Sequence, residues 1–307
     1  MEILVGSTGF VGQNISASHE FDMLCNSKNI TDAFGTNPEL LVYSGVPAEM
    51  FLANKDPFAD KTVIETAINN IQKINPKCLV LISTIAVLDN PVNAFEDTAI
   101  KPELLTAYGR NRLDLEISVR EFIPQSHVIR LPALFGDGIK KNFIYDIINN
   151  FPAMLNQAKY DELSSREEVI KECYALQDNG FFKLTVSNAN KPLLKAALER
   201  CNFSSLNFTD SRSVFQYYNL IYLWNHIEIM LKNNIPLLHM ATEPISSADV
   251  YEYIFGKSFN NLLDKPPFEY DFRSKDAEIF GGRNGYIFER EQILRELKEF
   301  IERHGDI

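Results

Sequence analysis

Apolar residues recur along this chain with two alternating periods. Glu2-Ile3-Leu4-Val5 is a short apolar run of strand type, followed by three glycines and a helical segment from Gln13 to His19. Phe21 to Cys25 reads as a second strand and Leu40 to Ser44 as a third, ending in Gly45. Thr62 to Ile74 carries Val63, Ala67, Ile71 and Ile74 on one face, which predicts a helix. Cys78 to Ile82 is apolar on both faces, as a strand buried in a parallel sheet requires. Pro102 can open a helix that runs to about Phe122, with Leu104, Tyr108, Arg112, Leu115, Val119 and Phe122 on one stripe, and His127 to Leu131 is the next strand. Strands alternating with helices predict an α/β protein with a doubly wound parallel sheet, whose ligands sit at the carboxyl ends of the strands.

The alternation stops near Asp137. Asn142 to Asn150 looks helical, Lys159 to Leu176 is charged and amphipathic, a turn follows at Asn179-Gly180, and Pro192 to Arg200 is a third helical piece. Val214 to Leu231 reads as a helix with Tyr217, Leu220, Trp224, Ile227 and Leu231 on its stripe. Leu237 to Ala241 returns as a strand, and Asp249 to Phe255 and Arg290 to Arg303 are further helices, with Pro266-Pro267 and Gly281-Gly282 in the loop between them. The expected organisation is a nucleotide-binding domain over 1–136 and about 214–242, with a substrate lobe over 137–213 and 243–307.

Composition narrows the classes. A chain of 307 residues, 45% apolar, is long enough for a full core. A net charge of −11 argues against nucleic acid or an acidic membrane surface as partner. The longest apolar run, Cys78 to Leu88, is broken by Ser83 and Thr84, so no membrane span is expected, and no signal peptide is read before the first strand. Cys25, Cys78, Cys173 and Cys201 lack metal-ligand spacing and the five histidines are scattered, so no metal site is expected, and reduced thiols point to the cytoplasm.

Candidate chemistry begins with Gly6-Ser7-Thr8-Gly9-Phe10-Val11-Gly12 between the first strand and helix. Gly6 permits a tight turn, Gly9 lets the backbone approach a pyrophosphate, and Gly12 lets the helix pack on the strand, while the helix N-terminus offers free N–H groups to the phosphates. The second strand ends in Cys25-Asn26-Ser27-Lys28 with no carboxylate to hold an adenosine ribose. A hydroxyl and a cation there suit a 2′-phosphate, which favours NADP over NAD. Ser83 and Thr84 end the apolar strand, where hydroxyls would face the nicotinamide; strand hydroxyls can also simply bond backbone. Arg112 on the stripe of Tyr108 needs acceptors if buried. Cofactor ribose hydroxyls could supply them; otherwise the arginine reaches solvent or pairs with a carboxylate.

Together, the glycine motif, the Ser83-Thr84-x-x-Val87 strand end, Tyr108-x-x-x-Arg112 and Arg130-x-Pro132-x-x-x-Gly136 resemble the extended short-chain dehydrogenase/reductase superfamily, also called the NAD(P)-dependent epimerase/dehydratase family. The closing stretch from Tyr270 to Phe300 resembles that family's C-terminal lobe, so the likeness spans nearly the whole chain. It implies a Rossmann-type fold in which Thr84 binds the substrate oxygen, Tyr108 exchanges the proton, and the residue at Arg112, a lysine in the family, holds the nicotinamide ribose and lowers the tyrosine pKa. Ser44-Gly45 stands where the family has two alanines, and Leu131 lies at the expected cofactor edge. Ile85 and Ala86 replace the carboxylates of the dehydratase branch, which argues against 4,6-dehydration. Ile85, Ala133 and Arg212 fall at substrate positions, Ala133 in place of an asparagine. The resulting expectation is an NADP-dependent reductase of a keto group on a nucleotide-linked sugar or related small molecule. An epimerase with the same residues is the first alternative, and a non-catalytic NADP-binding regulatory or interaction protein is the second. A homodimer is among the assemblies this reading admits.

Overall fold

A computed structural model describes residues 1–187 and 189–305. They fall into two compact units: 1–139 with 214–245 and 269–294, and the described residues of 140–213 with 246–268 and 295–305. The expected lobe 243–307 is thus divided. Residues 269–294 join the first unit because their backbone pairs there, in the bridges Val92↔Asp271 and Thr242↔Phe288.

The first unit is built on β1 (Glu2–Val5), α1 (Phe10–Ser18), β2 (Met23–Cys25), β3 (Leu40–Tyr43), α2 (Met50–Lys55), α3 (Pro57–Ile74), β4 (Cys78–Thr84), α4 (Ala107–Phe122), β5 (Ser126–Leu131), β6 (Ala133–Phe135), β7 (Tyr217–Asn219), α5 (Leu223–Lys232) and β8 (Leu237–His239). Six strands form one parallel sheet in the order β8-β5-β4-β3-β1-β2, and β6 pairs with β7 beside it. The order steps outward in both directions from the β1–β3 boundary, to β2 on one side and through β4, β5 and β8 on the other, so the sheet is doubly wound. Alternate strand residues enter opposite layers. Leu4, Val42, Val80 and Ile129 pack with Ile15 of α1 and Leu223, Ile227 and Met230 of α5. Ile3, Leu41, Leu79, Leu81 and Val128 pack with Ile64 and Ile71 of α3 and Leu115 and Val119 of α4. Each such side chain, fully removed from water, contributes roughly 1.5–3 kcal/mol before entropy. Covering both faces explains why β4 reads as continuously apolar.

The periodicity misplaces several boundaries. The Asp56 side chain accepts from Ala59 N at 3.0 Å and Pro57 takes the first helical position, so α3 starts before Thr62. Its buried stripe is Asp60, Ile64, Ala67, Ile71 and Ile74; the predicted Val63 is 37% exposed. Pro102 opens only a single 3₁₀ turn to Leu104, which is 64% exposed, and α4 begins after Thr106, whose hydroxyl accepts from Gly109 N. The predicted helix Val214–Leu231 is two short strands and a 3₁₀ turn before α5 starts at Leu223. Tyr217 and Tyr218 pair with Ala133 and Leu134, and this strand pairing overrides the helical spacing of the aromatics.

The second unit carries its own core of Leu155, Leu163, Ile170, Tyr174, Phe182, Leu194 and Leu198. Helices cover Phe143–Ile148, Gln157–Arg166, Val169–Cys173, Lys191–Arg200 and Ser247–Phe255. Tyr174–Leu176 is a strand rather than the end of a helix, paired antiparallel with Phe182–Leu184 across the Asn179-Gly180 turn. Helix Arg290–His304 closes the chain.

Candidate active site

Glycine geometry shapes the β1–α1 turn. Gly6 takes φ +88°, and a Cβ there would stand 2.5 Å from the Ser44 carbonyl oxygen. A Cβ on Gly12 would lie 2.1 Å from the Gly6 carbonyl oxygen, whereas one on Gly9 would meet only that oxygen at 3.2 Å. Gly6 and Gly12 are therefore packing requirements, and Gly9 faces outward with Thr8. Gly9 is the cap of α1, and no side chain among the described residues caps it, so the amides of Phe10, Val11 and Gly12 present the helix N-terminus. The Gly6 and Ser7 amides and the Ser7 hydroxyl all donate to the Cys25 carbonyl, at 2.9, 3.1 and 3.0 Å. Ser44 binds back to Val5 O through its amide and its hydroxyl, both at 2.9 Å, bringing Ser44-Gly45 beside Gly6. This is a cradle that fits a dinucleotide pyrophosphate.

After β2 the chain turns on its own asparagines. Asn29 Oδ1 accepts from Asn26 N at 2.8 Å, and Asn26 Oδ1 accepts from Lys28 N at 2.9 Å. Asn26 thus shapes the loop, and Ser27 and Lys28 are exposed at its tip.

The hydroxyl pair is brought together at the carboxyl end of β4. Tyr108 is 6% exposed, and the Thr84 side chain lies close enough to its hydroxyl to draw its pKa down. Thr84 Oγ1 also accepts from Ala86 N at 3.2 Å. A Cβ on Gly109 would stand 2.1 Å from the Ala86 carbonyl, so α4 rides directly on the turn after β4 and fixes Tyr108 against Thr84. Leu131 is the sheet partner of Thr84, and Ile85 is buried behind it. Ala133 lies in β6 opposite Tyr217.

Arg112 finds its acceptors inside the protein. Nη1 pairs with the Asp60 carboxylate of α3, and Nη2 donates to the Pro47 carbonyl at 2.8 Å. The guanidinium carbon lies 3.9 Å from the Tyr108 ring centroid. Asn111 Nδ2 also donates to Asp60, at 2.8 Å, and Asn54 of α2 accepts from the Tyr108 amide at 2.9 Å. Asp60 and Arg112 are 8% and 5% exposed. The lowered tyrosine expected from the neighbouring cation is not what results. Burial raises the Tyr108 pKa; Arg112 and Thr84 oppose this, Asp60 adds to it, and the net direction is up.

Beneath the pair runs a buried polar network. Ser83 Oγ donates to Glu116 at 2.5 Å, and Arg130 holds both Glu116 oxygens through Nε and Nη2, the latter at 2.7 Å. Arg130 Nη1 lies 3.2 Å from His239 Nε2, and His239 Nδ1 lies 3.0 Å from the Arg273 carbonyl. Arginine can only donate, so Nε2 accepts and the proton sits on Nδ1. Burial and then Arg130 lower His239 to about 3, which keeps it neutral. Glu116, Asp60 and Asn54 were not singled out from the sequence; of the partners open to a buried Arg112, the structure provides the carboxylate.

Arg212 belongs to the second unit. Its Nε and Nη2 bind the Asp210 carboxylate at 2.9 and 2.7 Å, and Nη2 also donates to Leu263 O, so its charge is already matched. Arg212 holds the Asp210 carboxyl well below its ordinary range.

No family model matches the sequence, and no curated protein matches it. Solved structures share the fold. A dTDP-4-dehydrorhamnose reductase from Clostridium acetobutylicum is 15% identical with TM-score 0.61, covering 98% of this chain and 99% of its own. The corresponding reductase from Bacillus anthracis, in complex with NADP, is 15% identical with TM-score 0.62 over 99% and 96%. A UDP-N-acetylglucosamine 4-epimerase from Methanobrevibacter ruminantium is 10% identical with TM-score 0.61 over 98% and 96%. The α/β Rossmann-like fold of these enzymes is the fold of this chain.

Proposed function

We propose that this chain is an NADP-dependent oxidoreductase of the extended short-chain dehydrogenase type, reducing a keto group on a nucleotide-linked sugar. The carrying observation is the Thr84–Tyr108 hydroxyl pair at the carboxyl end of β4, in the same parallel sheet whose β1 ends in an uncapped glycine cradle. The similar reductase in complex with NADP supports the cofactor, and the several sugar-nucleotide enzymes of this fold support the substrate class.

On this reading the Gly6–Gly12 turn and the amides of α1 hold the pyrophosphate, Ser44-Gly45 and Leu131 flank the cofactor, and Ser27 and Lys28 hold the 2′-phosphate. A nicotinamide held there would supply the hydride for the carbonyl carbon. Thr84 orients the carbonyl oxygen, and Tyr108 gives it the phenolic proton, which solvent later replaces. Arg112 stays with Asp60 and Pro47 and acts on Tyr108 through the ring face. Epimerisation, the alternative, begins with removal of a hydroxyl proton, so it needs the tyrosine as a base. A hydroxyl held above its ordinary pKa favours the donor role, and with it the reductase.

The test is NADPH oxidation against a panel of nucleotide-linked keto sugars, with calorimetry of NADPH and NADH. Expected are turnover of at least one member, its loss in Tyr108→Phe with NADPH affinity kept, and tighter binding of NADPH. Full turnover by Tyr108→Phe would remove the assigned donor. NADPH binding without turnover of any member would favour the regulatory protein.

A further inference from the structure

Resting on that reading, we propose that Asp60 is a positioning residue for Tyr108: it offsets the charge of Arg112 and so keeps the Tyr108 hydroxyl a protonated donor. The geometry makes the case. Asp60 opens the buried stripe of α3 in its first turn, four residues after the cap Asp56, and its Oδ2 receives both Arg112 Nη1 and Asn111 Nδ2. The Arg112 guanidinium carbon lies 3.9 Å over the centre of the phenol ring, where a free cation would stabilise the phenolate. A cation paired at contact distance in a buried place presents less net charge to that ring.

No other charge on the packed elements faces the ring. Its own helix brings Arg112 and α3 brings Asp60; the end of β4 brings the uncharged Thr84, the turn after it brings the Ala86 carbonyl, and α2 brings Asn54. Lys55, Asp56, Lys61, Arg110 and Asp114 instead line an outward cavity with Pro57 and Phe58. Glu116 is held by Ser83 and Arg130. Asp60 therefore offsets part of the pull of Arg112 on Tyr108. Reduction, which consumes the phenolic proton, stays competent into alkaline pH. The opposite oxidation, which needs the phenolate, is held back at neutral pH.

The experiment needs neither substrate nor cofactor, so its outcome is independent of whether the reductase assay succeeds. Protein carrying [¹³Cζ]tyrosine is titrated by NMR, and the Tyr108 signal among the 12 tyrosines is identified by its absence in Tyr108→Phe. In wild type the signal should remain at the phenol position through about pH 10, the ordinary tyrosine midpoint. Asp60→Asn, which leaves Arg112 unpaired, should bring its midpoint down by about one unit or more. Adding Arg112→Gln to Asp60→Asn should take it back up at least to the wild-type course, because the unpaired cation is gone. Asp60→Ser is run alongside in case the amide packs badly, and should move the signal the same way. An unmoved signal in the folded Asp60 variants, or a double variant that stays down, would overturn the proposal. In the active enzyme the matching expectation is an alkaline limb of the pH–rate profile that moves down in Asp60→Asn.

Discussion

At the scale of single residues, the glycines separate packing from binding. Gly12→Ala puts a Cβ 2.1 Å from a backbone oxygen that cannot retreat without moving β1. Its expected cost is about 3 kcal/mol of stability, read as a lower urea midpoint in the protein alone. Gly9→Ala has room apart from one contact at 3.2 Å, so stability should hold within about 0.5 kcal/mol while NADPH affinity falls. Equal stability losses in the two variants would deny Gly9 its outward role. Lys28→Ala should reduce the preference for NADPH over NADH roughly tenfold, the size of one charge-assisted contact; an unchanged ratio by calorimetry would place the 2′-phosphate elsewhere. Gly6, Gly12, Thr84 and Tyr108 were legible because each needs a particular residue type at a fixed distance from a strand end. Asp60 and Glu116 were not. Each answers an arginine that the sequence also shows, but 52 and 14 residues away along the chain, a distance that only the packing of α3, α4 and β5 closes.

At the scale of elements, the sheet was readable because burial on both faces leaves runs such as β3 and β4 with no ambiguity of period. Short elements decided by pairing were not. Tyr217, Leu220 and Trp224 are spaced for a helix, yet the first pairs in a strand, the second sits in a 3₁₀ turn and only the third is helical, because β6 supplies a partner. The start of α4 illustrates the reverse, a local signal outweighed by a stronger one. Pro102 is a good helix opener, but Thr106 caps Gly109 and Asn54 caps Tyr108, and the helix begins where both donors are satisfied. Thr106→Ala should cost about 1 kcal/mol. Asn54→Ala should cost a similar amount and also loosen Tyr108 against Thr84, lowering kcat more than it raises KM. A loss confined to stability would make Asn54 a cap and nothing more.

At the scale of the whole molecule, the buried titratable groups set opposite responses to pH. His226 packs among Phe280, Phe288 and Tyr222 with its Nδ1 2.8 Å from the Tyr218 hydroxyl, and burial lowers it from 6.5 to about 4. Its folded value lies below its unfolded one, so the stability it carries is present above pH 6.5 and is lost as pH falls through about 4. His239 acts in the same sense. Asp146, half-buried in helix Phe143–Ile148 of the second unit, is raised by burial from 3.8 to about 7. Here the folded value lies above the unfolded one, so stability is present below pH 3.8 and is lost as pH rises through about 7. Acidification should therefore weaken the first unit and alkalinisation the second. The sharper test is Asp146→Asn, which keeps the shape and removes the charge that burial disfavours. At pH 8 it should raise the thermal midpoint by several degrees, about 2 kcal/mol after allowing for partial exposure to solvent. At pH 4, where the wild-type carboxyl is already protonated in the folded state, the variant should gain little. A gain of equal size at both pH values would mean that the amide improves packing and that the carboxyl's charge plays no part. No gain at pH 8 would mean that Asp146 ionises in the folded chain without penalty.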